Sequence, residues 1–304
     1  MNIIFCGENE DIVNITPEDF EPKDQRLRLS TILEVVEIGA PGLNPKAFVV
    51  EMPSVRLLVD CAFDTLKPNS NITIKCKSVV VDTPKIGCEN SDLFISCSKS
   101  IIFREGTMSE ETIKNITLKA PHVELGTLCG RELKTENLTV ACASKKLLLD
   151  YDALDYANIN RLSLDANLLE VKAYAGCGLK ANDVSITANN AAFGSWALKE
   201  AEIQNLSITA ASLKNDYMFM PEADIYNLNL DVATNKTWHD SNIRTFQDAY
   251  VGKVQVVNKK YPDGVFGKID PHLMEYKYFK KHINNKEAYR KARQEKEEKD
   301  SPKQ

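Results

Sequence analysis

Residues 205–210 read "NLSITA", and the same six-residue phrase returns as "NITIKC" at 71–76, "NITLKA" at 115–120, "NLTVAC" at 137–142 and "NLNLDV" at 227–232. Take the first residue of each phrase as a register mark. The marks fall at Arg26, Ala47, Asn71, Asp92, Asn115, Asn137, Arg161, Asp183, Asn205 and Asn227, at intervals of 21 to 24 residues. A fixed period of this length over ten units is the signature of stacked repeats. At Arg26 and Ala47 the apolar pattern persists without the Asn.

The columns give the local structure. One residue after each mark stands a large apolar side chain, as Ile72, Leu93, Ile116, Leu138, Leu162, Val184, Leu206 and Leu228 do. Three residues after stands another, from Ile74 and Ile95 through to Ile208 and Leu230. Between them come Thr73, Thr117, Thr139, Ser163, Ser185 and Ser207. In–out–in alternation is the period of a half-buried strand. Five after the mark the column narrows to Cys76, Cys97, Ala120, Cys142, Ala166, Ala188 and Ala210. Small residues there suit a point where the chain bends or the interior tightens, and a free Cys serves as a slightly larger Ala.

A second apolar segment follows each phrase, such as "VVV" at 79–81 and "LLL" at 147–149. After an irregular stretch comes a third, such as "EAEI" at 200–203 and "EADI" at 222–225. The expected fold is therefore all-β: a right-handed parallel β-helix with coils of about 22 residues over 26–238. The flanks divide into an N-terminal cap over 1–25, a capping segment over 239–274 and a basic helical tail over 275–304. Thr16 and Pro17 mark a short capping helix over 15–22. "VGKVQVV" at 251–257 reads as a separate strand and "YPDGVF" at 261–266 as a turn. A leucine-rich-repeat-like solenoid is the alternative, because "INRLSLDANLLEV" at 159–171 matches its grammar. Its Asn column, six after the mark, fails at Lys77, Ser98, Pro121, Ala143, Ala211 and Ala233.

The run "LKANDVSITANNAAFGSWALKEAEIQNLSITAASL", 179–213, resembles bacterial adhesin-like β-solenoid domains of the auto-transporter head type. The likeness is one of repeat grammar and covers about 26–238. It implies a non-catalytic scaffold or interaction rod that binds a protein or a glycan.

Composition and charge narrow the function classes. The chain has 304 residues, 43% hydrophobic and 27% charged, a balance typical of a globular protein. Its longest apolar runs are only a few residues, so no membrane span is expected. The start, "MNIIFCGENEDIV", lacks the basic region and apolar stretch of a signal peptide, and the expectation is a cytoplasmic protein. Eight cysteines then read as free thiols. Of the net charge of −5, residues 276–304 contribute ten Lys/Arg against five Asp/Glu. The body is acidic, which argues against nucleic acid, while the basic tail suits an anionic partner. Contact with a protein or glycan is expected on the outward Thr/Ser/Asn face or at a rod end.

No residue is assigned a catalytic, cofactor-binding or metal-ligating role, and no cofactor is expected. His122, His239, His272 and His282 stand at no ligand spacing, and no CxxC pair is present. The sequons at Asn71, Asn115, Asn137 and Asn205 read as strand grammar. The enzymatic alternative is a polysaccharide lyase or hydrolase, which needs carboxylates converging within roughly 5–10 Å. Asp165 and Asp231 share an outward column but sit three coils apart, and Glu124 and Glu170 lie on separate coils of the second strand.

Overall fold

The computed structural model describes residues 3–4, 12–15, 26–28, 35–38, 47–57, 71–81, 86, 90–216, 218–235, 244–245 and 249–256. Its strands, in chain order, are β1 (Ile3–Ile4), β2 (Ile12–Ile15), β3 (Arg26–Arg28), β4 (Val35–Ile38), β5 (Ala47–Leu57), β6 (Asn71–Val81), β7 (Asp92–Phe103), β8 (Asn115–Lys119) and β9 (His122–Leu125). They continue with β10 (Lys134–Leu149), β11 (Asn158–Val171), β12 (Lys180–Phe193), β13 (Glu202–Asn215), β14 (Met218–Phe219), β15 (Asp224–Asn235), β16 (Arg244–Thr245) and β17 (Tyr250–Val256).

Stacking follows the repeat. A single sheet runs from β3 through β5, β6, β7, β8, β10, β11, β12, β13 and β15 to β17, every neighbouring pair parallel. This is a parallel β-solenoid, with about seven turns described in full and no helix among the described residues. From Ala47 onward each mark pairs with the next: Ala47 with Asn71, Asn71 with Asp92, and so on through Asn205 with Asn227. The first mark is corrected. Arg26 pairs with Val49, two residues beyond Ala47. "RLRLST" has no Asn to pin the register, and a two-residue slip preserves the alternation of faces. Tyr250–Val256 is not a separate strand; it pairs with β15 and brings Lys253 opposite Asn227.

The sequence pattern suggests two or three strand segments in each coil. They run on as one bent strand, 14 residues long in β11, β12 and β13. In β12 the alternation breaks twice, at Asn182–Asp183 and Asn189–Asn190, where two successive residues face outward. Each such pair flips the pleat and turns a corner. The third apolar cluster is thus the start of the next strand: Ile203 and Ile225 are fully buried just before the first corner.

The repeated Asn sits at that corner. The Asn115 amide donates to Asp92 and the Asn137 amide to Asn115, both at 2.6 Å. The Asn205 amide donates to Asp183 at 2.8 Å and the Asn227 amide to Asn205 at 2.9 Å. Arg161, which interrupts the column, reaches Asp183 instead. The phrase repeats its Asn because a side-chain ladder one coil apart satisfies each amide from the coil before it.

The small column ends the buried alternation at the second corner. Cys97, Ala120, Cys142, Ala166, Ala188 and Ala210 are all buried. The Cys142 sulfur lies 2.8 Å from the carbonyl oxygens of both Pro121 and Lys146. Residues 143–145 bulge out between them, and this bulge is where the 24-residue interval from Asn137 to Arg161 arises. Cys97, Cys129, Cys142 and Cys177 are buried, and none of them forms a disulfide. Burial pushes the thiols of Cys129 and Cys142 up and that of Cys177 up to about 11. Thiolate is the reactive form. A thiol reagent is expected to label these four only as fast as the native protein opens. Labelling of Cys142 within seconds would reject this packing. The side chain of Cys76 lies outside the described residues.

A third wall closes each coil, and no strand alternation describes it. Residues 104–110, 126–133, 150–157, 172–179 and 194–201 are overlapping turns. Within each, an N–H donates to the carbonyl three residues back, as Cys129 does to Gly126 and Arg131 to Leu128. Alternate residues have positive φ, including Leu128, Leu154, Tyr156, Tyr174, Trp196 and Leu198. Their N–H groups point to the neighbouring coils. Leu154 donates back to Cys129, whereas Leu128 and Glu132 donate forward to Tyr151 and Asp155. The wall is therefore hydrogen-bonded in both directions along the stack, as a sheet would be. It also carries steric strain, since bulky residues rarely adopt this conformation.

Residues 16–22 of the expected helix, the turn at 261–266 and the tail at 275–304 lie outside the described residues, as do His239, His272 and His282. Ile15, the first residue of the expected helix, instead ends the strand Ile12–Ile15, which pairs with β4.

Candidate functional site

The turn wall points its middle residues inward and its two edges outward. Ala153, Leu154, Ala175, Ala197 and Leu198 join the core. The edges carry a set of exposed aromatic rings. Tyr151, Tyr156 and Tyr174 are 51%, 53% and 43% exposed. Tyr174 and Trp196, one coil apart, stack with centroids 6.0 Å apart and planes 11° apart. Tyr156 leans over Gly178, where a Cβ would fall 2.4 Å from its Cδ1. A side chain there would push the ring aside, so the glycine lets Tyr156 lie against the wall.

Acidic groups surround these rings. Residues 150–156 read "DYDALDY", three Asp and two Tyr in one turn. Asp150 accepts a bond from the Thr127 hydroxyl at 3.1 Å. Asp155 accepts from the Cys177 N–H at 3.1 Å. Desolvation, then the Asp152 charge, pushes the Asp155 carboxyl up to about 7. The cations nearby are engaged. Arg131 pairs with Glu132, Lys172 with Glu170, and Lys199 with Glu200 at 2.8 Å. Lys199 also sits 5.3 Å over the Trp196 ring, a cation–π contact.

Asp155 gives the wall a pH dependence. Its folded pKa lies above its unfolded value, so its stabilising effect is full below about pH 4 and fades as pH rises through about 7. Because the group is half exposed, screening reduces the effect to about 1 kcal/mol. The melting temperature is expected to fall by a few degrees between pH 5 and pH 8. Asp155→Asn should flatten that slope. An unchanged slope would place the titration elsewhere.

The other candidate groups do not converge. Asp165 and Asp231 are separated by Thr187 and Thr209 in register, three coils apart as expected. Glu124 and Glu170 flank Leu148 on either side. Glu170 is held by Lys146 and Lys172, which keep its carboxyl below the usual range. His122 bonds through Nδ1 to the Lys146 carbonyl and faces Glu124 at 3.8 Å. Among the described residues no group of three His, Cys, Asp or Glu is placed to hold a metal ion, and no helix is long and apolar enough to cross a membrane. A mixed polar groove of about 530 Å³ runs beside the first corner, lined by Lys114, Lys134, Thr135, Glu136 and Asn160.

Strand periodicity does not reveal the aromatic wall. Its signal is nonetheless present: Tyr151, Tyr174 and Trp196 recur at 23 and 22 residues, the repeat period, inside the stretch that reads as irregular. Fold and surface together define a parallel β-solenoid with one aromatic, acid-flanked wall. Comparison with protein-family models, with curated proteins and with solved structures finds no match for the chain.

Proposed function

We propose that this protein is a non-catalytic β-solenoid scaffold that recognises a partner protein or a glycan through its turn wall. One observation carries the reading: exposed Tyr rings on consecutive coils, with Tyr174 stacked on the half-buried Trp196 ring of the next coil. Aromatic side chains supply large rigid contact area at low entropic cost, and they are enriched where proteins bind. The wall is preferred to the outward Thr/Ser/Asn face because that face carries short polar side chains. The grammar shared with adhesin-like auto-transporter domains supports a contact role. The winding is taken as right-handed on the general rule for parallel crossovers. We further propose a cytoplasmic location and an anionic partner for the basic tail.

A photo-crosslinking residue at Tyr156, compared with one at Thr187 on the first strand, tests the surface. Covalent capture of a protein or glycan from position 156, lost on Trp196→Ala, is the expected outcome. Capture from position 187 alone would move the contact to the Thr/Ser/Asn face. Release of reducing ends or unsaturated sugars from a polysaccharide panel would replace the scaffold reading with the enzymatic one.

A further inference from the structure

We propose that the groove beside the first corner binds an acidic oligosaccharide, one whose sugars carry carboxylates. The groove lies apart from the aromatic rings, and the inference does not rest on the turn wall being a contact surface.

Two columns of outward side chains bound the groove. One runs Thr112, Lys134, Asn158 and Lys180, each in register with the next. The other, two residues further along each coil, runs Lys114, Glu136, Asn160 and Asn182. All of them are exposed. The first three of each column line the volume of about 530 Å³, a size that suits a small-molecule ligand. Thr135, which also lines it, is buried and spends its hydroxyl on the Lys114 carbonyl at 3.0 Å.

The chemistry of this lining selects the ligand. The backbone groups are already used. The Ile113 N–H donates to Lys134, the Lys134 N–H to Glu111, the Glu136 N–H to Lys114 and the Asn158 N–H to Leu133. A peptide therefore finds no strand edge to extend, and recognition falls to side chains. An amide offers a donor and an acceptor together, as a sugar hydroxyl does. Asn158 and Asn160 supply such amides. The Asn160 carbonyl takes the Asn182 amide at 2.6 Å, which leaves the Asn160 N–H groups for a hydroxyl. Neither Lys114 nor Lys134 makes an ion pair among the described residues. An ammonium without a carboxylate partner takes one from the ligand. Glu136 accepts from hydroxyls and disfavours a ligand that is anionic throughout, such as nucleic acid.

The first column also sets a direction. Lys180 stands two strand steps from Lys134, roughly 10 Å, so a sugar chain laid along the stack meets a further ammonium there. Beyond Lys180 the column turns acidic at Glu202, which closes that end to an anion.

Calorimetric titration of the full chain with trisaccharides of galacturonate, mannuronate, guluronate and glucuronate tests the proposal. At least one of them is expected to bind with a dissociation constant below about 1 mM. Its carboxyl-reduced, neutral form should bind at least about tenfold more weakly, because the charged hydrogen bonds are lost. Changing Lys114 and Lys134 together to Gln should weaken the acidic sugar by a similar factor and leave the melting temperature in place, since both side chains are exposed. Trp196→Ala should leave the affinity unchanged. In the unaltered chain the bound sugar should protect Lys114 and Lys134 from acylation, while the exposed Lys214 reacts as before. No binding across the four sugars, binding that survives the two lysine changes, or equal affinity for an Asp-rich decapeptide overturns the proposal. Affinity lost on Trp196→Ala and kept without the lysines also overturns it, and moves the sugar to the turn wall.

Discussion

Ala210→Asp is expected to abolish the native melting transition, while Ala211→Asp, one residue along, leaves it in place. The parent residue and the introduced charge are the same, so only the facing differs. Ala210 is 3% exposed, in the small column before the second corner. Its register neighbours Ala188 and Val232 are equally buried. Among the described residues the core offers that carboxylate no cation, and stranding an unpaired charge costs more than about 4 kcal/mol. Ala211 opens the corner and faces water. A surface substitution of this kind changes stability by roughly 0.5 kcal/mol or less. Thermal unfolding followed by circular dichroism reads both. Equal melting temperatures for the two variants would mean that the strand faces are assigned wrongly.

That contrast rests on period two, and the same period makes the solenoid legible in the amino-acid sequence. Leu206, Ile208 and Ala210 alternate with outward residues because one face is apolar and one is not. The Asn column then pins each coil to the next. Where the Asn is missing, at Arg26, the register expected from the apolar pattern is off by two residues. The lesson is physical. Alternation specifies which face is buried, but sliding by two residues leaves the faces intact. A polar ladder helps to choose among the allowed slips, although Ala47 holds its register without an Asn.

The turn wall is not legible in the same way, for a different reason. Its conformation is imposed by the coil-to-coil hydrogen bonds, not by local preference. Positive φ ordinarily announces itself through Gly or Asn. Here Gly130, Gly176 and Gly178 obey the rule, while Leu154, Tyr174, Trp196 and Leu198 do not. Neighbouring coils hold those residues in place, so propensity alone points the wrong way. The aromatic rings are hidden by the same cause. They stand on a segment that has no strand period, and only their spacing against the 22-residue repeat betrays them.

Phe103→Ala carries the second large effect, and it tests how the coils depend on one another. Phe103 ends β7, fully buried, stacked in register between Val81 and Leu125. Removing the ring costs about 3–5 kcal/mol, the lost transfer energy plus the cavity left behind. In a solenoid each coil touches only its neighbours, so the loss should fall on the coils that share the cavity. Amide hydrogen exchange is expected to quicken in β6, β7 and β9, while β12 and β13, four or more coils away, keep their protection. The unfolding transition should broaden or split, with the far coils melting last. If protection instead falls equally along the whole stack, the rod unfolds as a single cooperative unit, and stability cannot be assigned coil by coil.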